Sequence, residues 1–124
     1  MTEDERKRLT TDENGLMTYE YIANNIETCD RDIDELIDNM IRVDMTGQFV
    51  VSAARYLAAV NAMGYKAQID RLVAAAIEKD REHKYLPDLL TGIYGADYAD
   101  RADELRSSDD NFRRIYKRLY PTGI

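Results

Sequence analysis

A single cysteine, Cys29, excludes an intramolecular disulfide and any cysteine-based zinc site, and suits a reducing compartment. There is no tryptophan and only one histidine, His83, set in the charged stretch EKDREHKY. No glutamate lies three residues before it, so the Glu-x-x-His pairs that build di-metal sites in four-helix bundles are missing. His83 reads as a helix-end cap or a solvated residue rather than a general base. Phosphate-cradling glycine loops, the G-x-S-x-G elbow and H-E-x-x-H are likewise missing, so no catalytic residue and no cofactor is indicated. The first fifteen residues, MTEDERKRLTTDENG, have no apolar stretch like that of a signal peptide. The longest apolar run, residues 49–63, is interrupted by Arg55 and is too short to cross a bilayer. The expected setting is cytoplasmic, without membrane association.

What the chain does have is charge and helical periodicity. Its 124 residues suit one domain, and 44% hydrophobic with 33% charged residues suffices for a core under a charged surface. The net charge of −7 gives a long-range field of the wrong sign for unspecific attraction to nucleic acid or anionic lipid. The distribution is uneven. All 24 acidic side chains precede residue 112, whereas residues 112–124 carry four of the 17 basic ones.

The run FVVSAARYLAAVNAM predicts a central helix buried on most sides, with alanines that let neighbours approach. Before it, Tyr19, Ile22, Ile26, Cys29, Ile33, Leu36, Met40 and Val43 alternate spacings of three and four, which predicts one long acidic helix, kinked if at all near residues 28–34. Thr28 or Asp30 would cap a second helix if that stretch broke, and Thr46 would cap the central one. A third, amphipathic helix is predicted over 66–81, and shorter ones over 87–94, 97–106 and 108–120, the last capped by Ser107 or Ser108. Residues 1–15 read as a flexible tail and 16–124 as a single domain. No internal repeat and no strand-like alternation is apparent. The predicted fold is all-α, a compact helical bundle of about five to six helices.

Asp30, Asp32 and Asp34 open like a calcium loop, but Glu35 and Ile41 stand where that loop needs glycine and a bidentate glutamate. No metal site follows. Glu27, Asp30, Asp34 and Asp38 fall at spacings of three and four and share one stripe, which is either solvated surface or a site for a basic partner. In the terminal helix, Arg113, Arg114, Lys117 and Arg118 interleave with Tyr116 and Tyr120, a pattern for phosphate or acidic-partner contacts, or for pairing within the chain. Cys29 lies on the seam, where a buried, inert thiol is expected.

Three functions fit. The first is a non-enzymatic interaction module, an acidic small protein of inhibitor, immunity or regulatory-subunit type that binds a basic macromolecular surface. The second is a nucleic-acid-associated regulator using helix 108–120, and the third an enzyme with a carboxylate-based pocket. The long seam also raises the prospect of a homodimer.

Overall fold

The computed structural model describes residues 1–121, and among them the chain is all-helical, with eight α-helices and no strand. The helices are α1 (Glu3–Thr10), α2 (Leu16–Asn24), α3 (Ile33–Val43), α4 (Gln48–Asn61), α5 (Lys66–Lys79), α6 (Leu86–Tyr94), α7 (Ala102–Ser108) and α8 (Asp110–Leu119). Short 3-10 turns, Asp30–Asp32 and Tyr98–Arg101, lead into α3 and α7. No described helix is long and apolar enough to cross a membrane.

The helices stack as successive pairs. The odd helices α1, α3 and α5 lie side by side in one layer; α2, α4, α6 and α8 lie side by side in a second. Each of α2 and α4 also packs on the odd helix that follows it, so every pair buries its apolar side against the next, the arrangement of a short helical array. Between the layers Ile22, Leu36, Ile37, Met40, Val50, Leu57, Leu72, Ile77, Leu86, Leu89, Phe112 and Ile115 are fully enclosed. Ala53, Ala54 and Ala76 are also fully buried, and their small side chains let α4 and α5 come together closely.

An aspartate stands at the turn inside each pair. Asp12, Asp44 and Asp80 are all at most 6% exposed. The Asp44 carboxylate accepts from the N–H groups of Thr46 (3.0 Å), Gly47 (2.9 Å), Phe49 (2.9 Å) and Val50 (2.9 Å). Asp12 accepts from Asn14, Gly15 and Thr18 N–H and from the Thr18 hydroxyl, and Asp80 from the N–H groups of Lys84, Tyr85 and Leu86. Thr18, Phe49, Val50 and Leu86 are orphan donors in the first turns of α2, α4 and α6 and the others lie in the turns leading into them, so a buried charge is held by backbone groups that need an acceptor. Asp109 caps α8 in the same sense through Phe112 N–H. At α4 the expected cap Thr46 accepts only the Gln48 N–H, at 3.3 Å, while Asp44 takes four N–H groups, and at α8 the cap is Asp109 rather than Ser107 or Ser108.

The turns reveal a repeat that the linear sequence conceals. Ile33-Asp34-x-Leu36-Ile37 with Ile41 and Asp44 recurs as Ile69-Asp70-x-Leu72-Val73 with Ile77 and Asp80. Asp12-x-Asn14-Gly15 likewise recurs as Asp44-x-Thr46-Gly47. The third residue after each aspartate adopts positive φ: Gly15 at 102°, Gly47 at 94° and His83 at 58°.

Three further expectations are corrected. The first fifteen residues contain α1, closed by a Thr2–Glu5 capping box and docked through Leu9, which is 2% exposed. Asn39 of α3 donates to Leu9 O and to the Thr18 hydroxyl, tying α1 and α2 together. The long acidic helix is two helices: Asn25 ends α2, its side chain donating to Tyr21 O, and Asp30–Asp32 form a 3-10 turn before α3. Ile22, Cys29, Ile33, Leu36, Met40 and Val43 of the seam are nonetheless buried and Tyr19 and Ile26 half-buried, so the spacing recorded burial and not continuity of the helix. With α1 added and the long helix divided, eight helices replace five to six. Finally, α4 is enclosed only along Val50, Val51, Ala53, Ala54 and Leu57; beyond it Val60 and Met63 are exposed, Met63 at 90%.

Candidate functional site

Three carboxylates of the acidic stripe, Asp30, Asp34 and Asp38, emerge along the 3-10 turn and α3, on the edge that meets α5. Glu27 is exposed in the link after α2 and makes no hydrogen bond or ion pair among the described residues. The Tyr65 hydroxyl, just before α5, donates to Asp30 at 2.7 Å. Gln68 donates its side-chain N–H to Asp34 at 3.0 Å, and Arg71 pairs with Asp38 while lying 3.9 Å from Asp34. Tyr65, Gln68 and Arg71 thus recur along one face of α5 in step with Asp30, Asp34 and Asp38. The carboxylate of Asp30 holds the Tyr65 phenol protonated, and with burial adding to this its pKa is pushed up to about 12. Asp34 and Asp38 remain 72% and 67% exposed.

The basic terminal helix is divided between two environments. Arg114 reaches Glu78 of α5 and Asn111 donates to Asp70 O, so this side of α8 faces the stack. Arg113 pairs with Asp110 one turn back, and Lys117 and Arg118 form no ion pair among the described residues. The acidic stripe and the basic helix do not neutralise one another; each is met by residues of α5, Arg71 in one case and Glu78 in the other.

On the opposite side of α8 an open groove of about 650 Å³ runs between α7 and α8. Arg106, Ser107, Arg113, Lys117 and Tyr120 line it over the Tyr116 ring. Arg106 pairs with Asp103 and stacks over Tyr116, its guanidinium carbon 4.9 Å from the ring centre. The rings of Tyr116 and Tyr120 lie 4.8 Å apart, and Tyr116 stacks on buried Phe112, which Tyr94 and Tyr98 meet edge-on. Tyr94, Tyr98, Phe112, Tyr116 and Tyr120 therefore form one continuous aromatic ladder from core to surface. Burial, together with the neighbouring Asp109 carboxylate that accepts its hydroxyl, raises the pKa of Tyr94.

Cys29 is buried, and desolvation followed by the nearby charge of Asp30 raises its pKa, which keeps it a thiol. Sequence reasoning missed the buried aspartates as a set. The signal for them was the D-x-N-G and D-x-T-G pair, each standing before an apolar helix.

Comparison with protein-family models, curated proteins and solved structures yields no match to this chain.

Proposed function

We propose that the protein is a non-enzymatic helical interaction module whose acidic ridge, Glu27, Asp30, Asp34 and Asp38, binds a basic surface of a macromolecular partner in the manner of an inhibitor, immunity protein or regulatory subunit. The observation that carries this reading is the exposure of Asp30, Asp34 and Asp38 in step along one edge against one opposing cation, Arg71, with Glu27 exposed in the link before them. An exposed ion pair contributes about 0–1 kcal/mol, so a partner's lysines or arginines displace Arg71 at little cost and meet a pre-aligned row of acceptors. The row is fixed in place by Tyr65 and Gln68 rather than consumed by them, because each carboxylate keeps lone pairs open to solvent.

The other two readings have less support. The four cations offered to a nucleic acid sit in a chain of net charge −7, whose long-range field opposes phosphate. A carboxylate-based pocket needs an acid with free valence, and Asp12, Asp44 and Asp80 direct theirs to backbone N–H groups. The seam that suggested a homodimer is covered by the chain's own helices, which leaves a dimer without that motive.

The test is affinity capture from lysate of the source cells at low and moderate salt, read by mass spectrometry. The wild type is expected to retain a basic protein that the combined Asp30→Asn, Asp34→Asn, Asp38→Asn variant loses. An identical retained set for both proteins refutes the reading.

A further inference from the structure

The α7–α8 pair ends the described stack, and its outer side is open. Within the stack the apolar flank of α2 is covered by α3 and that of α4 by α5. The flank of α8 turned away from Arg114 and α5 carries the groove. We propose that this groove is a docking site for an acidic amphipathic helix of a partner protein, which would continue the helix-on-helix packing one step further. It is a second surface, separate from the acidic ridge.

Three observations specify the occupant. The groove is bounded by Asp103, Arg106 and Ser107 of α7 and by α8 from Arg113 to its C-cap Tyr120, a rise of about 10 Å, which matches anchors at i, i+3 or i+4, and i+7 of a partner helix. Its floor is aromatic: the Tyr116 and Tyr120 rings offer rigid apolar area with a polar tip, and Tyr120 is 39% exposed. Its rim reverses the sign of the molecule, with Arg106, Arg113 and Lys117 facing one lining carboxylate, Asp103, in a chain of net charge −7. A helix satisfies this combination by placing apolar side chains on the tyrosines and carboxylates beside Lys117 and Arg113. Nucleic acid fits it less well, because a phosphate at every nucleotide meets the net −7 field of the chain, whereas a helix needs only a few carboxylates at the rim.

The experiment titrates the isotope-labelled full chain with synthetic helical peptides that share a leucine face and differ only in flank charge, glutamate or lysine, and in parallel with single-stranded DNA. Amide shifts are followed by NMR. The glutamate peptide is expected to bind at least about tenfold more tightly than the lysine peptide, with shifts centred on Arg106, Lys117 and Tyr120. Lys117→Glu and Tyr120→Ala, both on exposed side chains, are each expected to weaken it about fivefold or more, whereas Arg8→Glu on α1 leaves it unchanged. The proposal is overturned by equal or tighter binding of the lysine peptide, by tighter binding of DNA at the same residues, by shifts centred elsewhere, or by no shift with any probe at about 1 mM. Because the ridge and the groove share no residue, failure here leaves the proposed function standing, and the reverse holds.

Discussion

A Cβ added to Gly47 would lie 3.1 Å from the Cβ of Asp80. One turn of the stack therefore seats directly on the next, and Gly15 repeats the relation, its added Cβ 3.3 Å from that of Asp44. Position Asp+3 must satisfy two conditions at once: a left-handed backbone and room for the following aspartate. Glycine alone meets both without strain. Gly47→Ala is expected to destabilise the fold by about 2 kcal/mol, combining left-handed strain with a contact that the Asp80 backbone is too well fixed to relieve. Urea unfolding checks this, and a loss within experimental error of zero would break the link between the turns.

His83 occupies the same place in the third turn with φ of 58°, so there the left-handed backbone carries a side chain. His83→Gly is expected to be neutral or stabilising by up to about 1 kcal/mol, since relief of the left-handed strain is partly offset by the entropy glycine loses on folding. A clear fall in Tm for this variant would show that the imidazole has a structural role of its own.

Asp44 and Asp38 are both helix-associated carboxylates, but their environments set opposite consequences. Removing the Asp44 side chain in Asp44→Ala leaves four N–H groups at the start of α4 without their acceptor, at an expected cost of about 2–3 kcal/mol. Asp38→Ala removes an exposed ion pair with Arg71 and is expected to stay within about 1 kcal/mol of wild type. Equal losses in thermal or chemical unfolding would contradict the assignment of Asp44 as a buried cap.

Asp12 gives the fold a pH dependence whose sign follows from its partners. Burial alone would raise its carboxyl pKa, but the hydrogen bonds from Thr18, Gly15 and Asn14 outweigh burial and hold it below the ordinary 3.8. A carboxylate depressed in the folded state stabilises that state above its unfolded pKa, and the contribution disappears as pH falls through the folded value. The stability difference between wild type and Asp12→Asn is therefore expected to be constant near neutrality and to shrink below about pH 4. A difference that grows on acidification would reverse the sign of the shift.

The sequence determined the all-helical class and most of the core. Spacings of three and four marked Ile22, Cys29, Ile33, Leu36, Met40 and Val43 as inward-facing, and each is buried, because apolar periodicity depends only on which side of the chain faces away from water. It also determined the exposed acidic row and the cationic terminal helix, since like charges on one face have no other place than the surface. Tertiary structure decided the rest. Whether residues 24–32 continued as helix depended on local hydrogen bonds of Asn25 and on room for a 3-10 turn, neither of which alters the apolar spacing. The buried aspartates looked like ordinary surface charge until the turns came together, because burying a carboxylate is favourable only where several helix N–H groups converge on it. The groove, too, exists only in three dimensions. Helical phase puts Arg113, Lys117 and Tyr120 on one side of α8 and Arg114 on the other, but only the packing of α7 along the first side, and of α5 along the second, makes one a groove and the other an interior contact.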